Sequence, residues 1–266
     1  MIYIGYFSSV LIGISLGLIG GGGSILTVPV LVYLFTVDAV AATAYSLFIV
    51  GLTSAVGSVS YFRSGLVNVK TAFVFGIPSI VAVFLTRAYL VPAIPKEIMT
   101  VGHFVLTKSI LMLLLFAILM IAASYSMIKK GETNIEETDA PQVFNYPLIT
   151  LEGAVVGTLT GLVGAGGGFL IIPALVVLSK LSMKEAIGTS LVIIAAKSLI
   201  GFFGESSETT IDWTLISSVS ALAIIGIFIG TALSKRIDGV KLKPVFGWFV
   251  LVMGVYIIVK EVFFHV

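Results

Sequence analysis

The sequence predicts an all-α, polytopic membrane protein built from two homologous halves. Of its 266 residues, 58% are hydrophobic and 11% are charged, and the mean hydropathy is +1.18. Soluble domains carry roughly 25% charged residues, so this chain has too few to cover a surface in water, and we expect lipid to surround it. In addition, a glycine-rich motif occurs twice, over residues 17–29 and 161–173. The two copies indicate an internal repeat with an offset of 144 residues.

The composition also excludes several classes of site. The chain has no cysteine, which excludes disulfides, iron–sulfur clusters and thiol catalysis. Its two histidines, His103 and His265, lie far apart in the sequence and show no metal-ligand spacing. The net charge of +2 is too small to indicate a nucleic-acid partner. We therefore expect no cofactor, no metal ion and no nucleic acid.

Eight apolar segments follow one another along the chain. They cover about residues 3–35, 39–62, 71–92, 109–128, 147–179, 186–204, 213–234 and 244–264. Each is long enough to cross roughly 30 Å of hydrocarbon as a helix. The first and fifth are too long for one crossing, since about 33 residues at 1.5 Å each give roughly 50 Å. Because each is interrupted by glycines and then a proline, we expect two short helices joined by a glycine loop, forming a hairpin.

The repeat extends beyond the motif. At the same offset, Ser46-Leu47 matches Ser190-Leu191, Ser54 matches Ser198, and Gly57 matches Gly201. The register breaks at an insertion near residues 92–107, which we expect to be an interfacial loop or a short surface helix. The long polar stretch after Ile128 reads as a flexible linker. The predicted organisation is a first transmembrane repeat over 1–128, a linker over 129–146 and a second repeat over 147–266.

Two topologies compete for these segments. If the first and fifth segments each cross once, the halves are parallel and Lys and Arg residues divide nine to five between the two sides. If both segments are hairpins, the halves are inverted and the division is ten to four. The positive-inside rule favours the inverted layout, with the linker in the cytoplasm.

Several motifs in the sequence resemble those of a known protein family. The resemblance rests on the doubled motif, Ala186-Ile187-Gly188-Thr189-Ser190-Leu191, Ile211-Asp212-Trp213, Gly226, Gly230 and Lys235-Arg236-Ile237. These features resemble the sulfite exporter TauE/SafE family, also called the toluene sulfonate uptake permease family. The resemblance implies an inner-membrane carrier of seven or eight helices for sulfite, sulfonates and other small organosulfur anions. The first half departs from the pattern around Ile77-Pro78-Ser79 and Thr86-Arg87-Ala88.

The glycine loops are candidate anion-binding sites, and we expect their tips to meet near the bilayer midplane and form the substrate site. Unwound backbone offers N–H donors, and the N-terminus of a half-helix adds a partial positive charge. The candidate residues are Gly22, Gly23, Ser24, Thr27, Gly166, Gly167 and Gly168. The alternative is close helix packing through small residues, which accounts for Gly13, Gly17, Gly157 and Gly161. Packing does not account for three or four adjacent glycines, because these destabilise a helix.

Polar side chains within the spans are further candidates. The hydroxyls of Ser46, Ser190, Ser54 and Ser198 either line a polar path or bond their own helix backbone. Lys197 lies deep in the sixth segment, where an ionisable residue is by default a functional hypothesis. The alternatives are a side chain that snorkels toward the interface and a lysine that burial keeps neutral. Arg87 is nearer a segment end, and binding and snorkelling explain it equally well.

The functional prediction is a secondary transporter of small anions in the cell membrane, with the resemblance pointing to sulfite or organosulfonates. Nothing in the sequence resembles an ATPase, so we expect an ion or substrate gradient to drive it. The alternative is an anion channel or pore. An enzyme is not expected, since no paired acids and no nucleophile–base set are visible in the spans. The exact substrate, the direction of transport, the coupling ion and the oligomeric state stay open, a homodimer included.

Overall fold

The computed structural model describes residues 2–101, 104–128, 146–164, 166–177, 179, 181–204, 211–234 and 239–263. The predicted linker, except for its last residue, lies outside the described residues. The first half contains α1 (Ile2–Ile19), α2 (Gly22–Tyr33), α3 (Ala39–Arg63), α4 (Val69–Leu85), a π-helical turn (Thr86–Leu90), α5 (Val91–Ala93), β1 (Glu97–Val101), β2 (Phe104–Thr107) and α6 (Lys108–Ile128). The second half contains α7 (Tyr146–Val163), α8 (Gly168–Val177), α9 (Met183–Phe203), α10 (Trp213–Ser234) and α11 (Gly239–Phe263).

The described part of the chain confirms an all-α membrane fold. Within it, five helices are long and apolar enough to cross a membrane, namely Ala39–Arg63, Val69–Ala93, Lys108–Tyr125, Met183–Phe203 and Trp213–Ser234. Shorter apolar helices cover Tyr3–Ile19, Gly22–Tyr33 and Pro147–Val163. The chain is therefore a multi-pass membrane protein.

Polar residues fix where several spans begin. The Asp38 carboxylate accepts hydrogen bonds from the N–H groups of the first turn of α3, and Asn68 does the same for α4. Ser182 and Glu185 form a capping box at the start of α9. Because the first N–H groups of a helix have no partner within it, such caps set the starting residue.

The overlong first segment folds as a hairpin, as the sequence predicts. Helices α1 and α2 are separated by only Gly20 and Gly21. A Cβ atom added at Gly5, near the start of α1, would lie 2.7 Å from the ring of Phe35, just beyond α2. The chain thus returns to the end from which it started. Helices α7 and α8 repeat the arrangement on either side of the second glycine motif.

The insertion in the first half is not the loop or short surface helix that we expected. Residues 97–101 and 104–107 pair as an antiparallel two-stranded sheet, with Glu97 opposite Thr107 and Val101 opposite Phe104. The segment is rich in β-branched and aromatic residues, which favour extended backbone. The expectation was wrong because it weighed the prolines and charges of the segment and overlooked these residues.

Each half packs against the other through matched contacts. Here, matched residues are those 144 positions apart. A Cβ at Gly13 of α1 would collide with the carbonyl oxygen of Ala223 on α10. A Cβ at Gly157 of α7 would lie 2.5 Å from the carbonyl oxygen of Ser79 on α4. Gly13 and Gly157 are matched, and so are Ser79 and Ala223. These glycines serve close helix packing, as the packing alternative predicts.

The central pair of helices, α3 and α9, is also built from matched residues. A Cβ at Gly57 would lie 3.7 Å from the side chain of Leu191, and a Cβ at Gly201 would lie 3.6 Å from that of Leu47. Both contacts join the later part of one helix to the earlier part of the other, so the two helices run antiparallel. Equivalent helices that run antiparallel support the inverted layout. The sides of the membrane on which the ends lie stay a prediction.

Candidate functional site

The two glycine loops meet in the interior of the protein. A Cβ at Gly21 would collide with the backbone of Gly168, and a Cβ at Gly168 would collide with Cα of Gly21 and lie 3.1 Å from the carbonyl oxygen of Gly20. All three residues are buried. Glycine is therefore required here, because two main chains cross with no room for a side chain.

The loops also need glycine for its backbone conformation. The φ angle is +73° at Gly20 and +72° at the matched Gly164, and it is +62° at Gly166 and +70° at Gly167. Residues with a Cβ adopt this left-handed region only at a cost. Loop geometry thus explains the glycines that have a positive φ. Gly23 lies in α2 instead, where an added Cβ would collide with the carbonyl oxygen of Ile12 on α1, so packing explains it, as it explains the glycines earlier in α1 and α7.

Two helices begin at the crossing. Helix α2 starts at Gly22 and α8 starts at Gly168, and the N-cap of α2, Gly21, has no side chain to satisfy the first N–H groups. The first N–H groups of a helix lack intrahelical acceptors and carry a partial positive charge. Of the predicted loop glycines, Gly22, Gly23 and Gly168 therefore lie in the first turns of α2 and α8 and not in unwound backbone, whereas Gly166 and Gly167 lie in the loop. All five are buried.

Lys197 contacts the second loop, which joins α7 to α8 over residues 164–167. Its side chain on α9 is 1% exposed, and its Nζ donates a hydrogen bond of 3.0 Å to Oγ1 of Thr160 on α7. A Cβ at Gly167 would lie 2.7 Å from this Nζ. The Thr160 hydroxyl donates in turn to the carbonyl oxygen of Gly157 at 3.2 Å. The ammonium thus points into the protein and not toward a membrane interface.

The predicted hydroxyls divide into two groups. Some bond backbone carbonyls, as the alternative interpretation expects: Ser24 donates to Gly21 at 2.7 Å, Thr27 to Gly23 at 3.1 Å, and Ser190 to Ile187 at 2.8 Å and Gly20 at 3.4 Å. In contrast, Ser46, Ser54 and Ser198 are fully buried, and their hydroxyls have no partner among the described residues. An unsatisfied buried hydroxyl costs about 1–3 kcal/mol and calls for an explanation.

One of these unpartnered hydroxyls, that of Ser198, lies beside the second loop. A Cβ at Gly166 would lie 3.3 Å from Oγ of Ser198 on α9, and 2.6 Å from the side chain of Val50 on α3. On α3, Ser46 and Ser54 are each four residues from Val50, which places them on the same helix face. The loop that Lys197 contacts thus has a donor from α9 beside it and packs against the face of α3 that carries Ser46 and Ser54.

Arg87 is fully buried, so its guanidinium does not snorkel to a surface. It belongs to the π-helical turn that follows α4. A Cβ added at Gly161, the residue after Thr160 on α7, would lie 2.9 Å from the Cβ of Thr86, the neighbour of Arg87. Single π turns are frequent at functional sites. The turn brings the Arg87 backbone beside α7, near the loop that Lys197 contacts.

Comparisons with known proteins agree with this architecture. The model of the sulfite exporter TauE/SafE family matches residues 6–257. The chain belongs to this family. It is 29% identical over 252 residues to a "Probable membrane transporter protein" of Xylella fastidiosa, covering 93% of this chain and 91% of that protein. It is 28% identical over 233 residues to the "Probable membrane transporter protein YdhB" of Bacillus subtilis, covering 88% and 90%. No solved structure matches the chain.

Membership of the TauE/SafE family and the names of these relatives make the protein a membrane transporter. Within the part of the chain that the structure describes, no group of three or more His, Cys, Asp or Glu side chains is placed to hold a metal ion.

Sequence reasoning missed Thr160, the partner of Lys197. The signal was present in the repeat, because Thr160 is matched to Leu16, and Lys197 is matched to Thr53. In the first half, Thr53 bonds its own helix at the carbonyl oxygen of Ile49, and Leu16 is buried in the apolar core. These two differences between the halves, at Thr160 and at Lys197, therefore occur at one contact. Together they introduce a charged group and the hydroxyl that accepts its hydrogen bond.

Proposed function

We propose that this protein is a secondary transporter of small anions, with sulfite or organosulfonates as substrates, and that the anion binds where the two glycine loops cross. The observation that carries the proposal is the buried ammonium of Lys197 beside the second loop, together with three buried hydroxyls that have no described partner. The sulfur chemistry comes from the family description and not from the geometry.

The charge of Lys197 favours an anionic ligand. Its one hydrogen-bond partner among the described residues is the neutral Thr160 hydroxyl, and no described carboxylate lies within ion-pair distance. A buried charge without a partner of opposite sign is strongly destabilising. A bound anion would supply that partner, and the hydroxyls of Ser54 and Ser198 and the first N–H groups of α8 would add donors.

The burial of the site favours a carrier over the alternative, an anion channel. Lys197 is 1% exposed, and Ser46, Ser54 and Ser198 are all fully buried. A channel needs a continuous path past its selective groups, whereas a carrier encloses its site and opens it to one side at a time. We place the protein in the cell membrane, with the 129–146 linker in the cytoplasm.

Ligand screening of the purified protein tests this function. A ligand at one hundred times its Kd stabilises the folded protein by about 2.7 kcal/mol, so a substrate will raise the unfolding temperature. We expect a shift with sulfite or a small sulfonate, and none with short carboxylates of the same charge. If none of sulfite, sulfate, thiosulfate and sulfoacetate shifts the transition, the proposed substrate class is wrong.

Counterflow in proteoliposomes then separates the carrier from the channel. Vesicles are loaded with the unlabelled anion, and uptake of the labelled anion is followed over time. A carrier gives a transient accumulation that depends on the internal load and saturates with concentration. Uptake without this overshoot, and without saturation, would identify a channel.

A further inference from the structure

The groups that surround the loop crossing offer hydrogen-bond donors, while several backbone carbonyls there already accept hydrogen bonds from the protein. At the end of α1, just before the first loop, the carbonyl oxygen of Leu16 accepts a hydrogen bond from Gly20 N at 2.7 Å. The carbonyl oxygen of Gly17 accepts one from the Tyr61 hydroxyl at 3.0 Å. The Gly20 and Gly21 carbonyls accept from serine hydroxyls.

The second loop shows the same pattern. The carbonyl oxygen of Thr160 accepts from Gly164 N at 2.8 Å. That of Gly167 accepts from the N–H groups of Leu170 and Ile171, both at 3.0 Å. The carbonyl oxygens of Leu16, Thr160 and Gly167 are therefore each engaged within the protein, whereas the donors of Lys197, Ser54 and Ser198 have capacity left.

All the carboxylates in the described part of the chain lie away from the loop crossing. Asp38, Glu185 and Asp212 hydrogen-bond to backbone N–H groups at the starts of α3, α9 and α10, Glu97 lies in β1, Glu152 lies near the start of α7, and Glu261 accepts from Tyr33. The part of the chain that the structure describes thus brings no carboxylate to the crossing. An ammonium group, which has three donors and no acceptor, would find no counter-charge there.

We infer that this site selects small oxyanions that carry no ammonium group, so that it discriminates against zwitterions with the same acidic group. The inference rests on the proposed function, because it concerns the anion site at the loops. An ammonium buried next to Lys197 would lose its hydration, gain no carboxylate and be repelled by a like charge. A sulfonate that ends in a hydroxyl group loses much less, since a hydroxyl can both donate and accept.

A matched pair of ligands tests the inference on the wild-type protein. Isethionate is 2-hydroxyethanesulfonate and taurine is 2-aminoethanesulfonate, so they share the sulfonate and the two-carbon chain. Both are titrated into the full chain in nanodiscs at pH 7, where the amine is protonated, and sulfite is titrated beside them. We expect taurine to bind at least five-fold more weakly than isethionate. A ratio below five-fold would overturn the inference.

An introduced acceptor provides a second test. Ser54→Asp places a carboxylate on α3 one turn from Val50, whose side chain contacts the loop, and Ser54→Asn is its neutral control of nearly the same shape. We expect the ratio of taurine to isethionate affinity to rise at least five-fold in the Asp variant and to stay within two-fold of wild type in the Asn variant. An unchanged ratio in an Asp variant that binds either ligand would contradict the inference. If the Asp variant binds neither, the wild-type ratio decides.

The outcomes separate this inference from the function on which it rests. If sulfite and isethionate bind and taurine binds equally well, the protein binds small anions and the selectivity is refuted alone. If none of the three ligands binds and sulfite is not transported, the proposed function fails and takes the selectivity with it.

Discussion

Two serines of α9 show how differently the same residue type behaves at this site. Ser190 bonds backbone carbonyls, whereas the Ser198 hydroxyl is buried beside Gly166 without a described partner. The sequence pattern placed both as candidates, because both are matched to serines in the first half. It could not separate them, since the spacing of residues does not specify the direction in which a hydroxyl group donates.

This difference predicts different effects of Ser198→Ala and Ser190→Ala on anion binding. Removing a hydroxyl that bonds a charged ligand costs about 1.5–3 kcal/mol, which is a factor of roughly 10–150 in Kd. We expect this loss for Ser198→Ala in a sulfite titration, with no loss of stability in the absence of ligand. Ser190→Ala serves as the control and should bind sulfite within about three-fold of wild type. Equal Kd values for both variants would remove Ser198 from the site.

Gly167 gives a prediction about loop geometry. Its φ is +70°, and an added Cβ would collide with Thr160 and lie 2.7 Å from the Lys197 Nζ. Gly167→Ala should therefore abolish transport and destabilise the protein by at least about 1–2 kcal/mol. The control is Gly76→Ala within α4, where an added Cβ would have only the side chain of Ile193 within 4 Å, at 3.7 Å. Transport assays and thermal unfolding decide, and normal transport by Gly167→Ala would show that the loop tolerates a side chain.

At the scale of elements, two equivalent hydrogen bonds join the halves at matched positions. The backbone N–H of Asp212, before α10, donates to the Tyr45 hydroxyl on α3 at 2.8 Å. The N–H of Asn68, before α4, donates to Oγ1 of Thr189 on α9 at 2.9 Å. Tyr45 is matched to Thr189, and Asn68 is matched to Asp212. Each bond ties the start of the third span of one half to the second span of the other.

These bonds predict a stability effect. Tyr45→Phe and Thr189→Val each remove an acceptor and leave a partly buried N–H unpaired, which costs about 1–3 kcal/mol. The control is Thr53→Val, which removes a hydroxyl that bonds only its own helix. Thermal unfolding in detergent measures the three variants. If all three unfold at the same temperature, the bonds between the halves do not stabilise the fold.

Much of the element pattern could be predicted from the sequence, because it depends on local chemistry. The length of the first segment and its glycine run predict the hairpin, and the small residues at four-residue spacing predict the packing stripes on α1 and α7. The strands at 97–107 were missed, because nearby prolines and charges suggested a loop. The meeting of the two loops was expected from the matched glycine breaks. The residues that contact each other there, Gly21 and Gly168, could not be predicted, since they depend on how α3 and α9 cross, which the sequence of either helix does not specify.

At the scale of the whole molecule, the antiparallel contact of α3 and α9 supports the prediction of inverted halves. The residue before α3 and the residue near the start of α9 should then face opposite sides of the membrane. The chain has no cysteine, so single-cysteine variants report one position each. Thr36→Cys and Lys184→Cys are suitable because both positions are exposed. We expect a membrane-impermeant maleimide to label them from opposite sides of oriented vesicles, and labelling from the same side would reject the inverted layout.

The two halves share one scaffold but carry the buried lysine only once. Lys197 contacts the second loop, whereas the matched Thr53 bonds its own helix. A scaffold that needed a charge for packing would use it in both halves, so the asymmetry indicates a ligand. The central claim is therefore that this ammonium binds the transported anion.

The most direct test is a titration of sulfite into wild type, Lys197→Met and Thr53→Val in nanodiscs. Removing one partner of a buried charge pair costs about 2–5 kcal/mol, so the account predicts that Lys197→Met binds sulfite at least about 30-fold more weakly while unfolding no earlier without ligand. Lys197→Arg should bind with intermediate affinity, because its planar fork is larger. Thr53→Val should keep the wild-type Kd. Wild-type affinity in Lys197→Met would contradict the account.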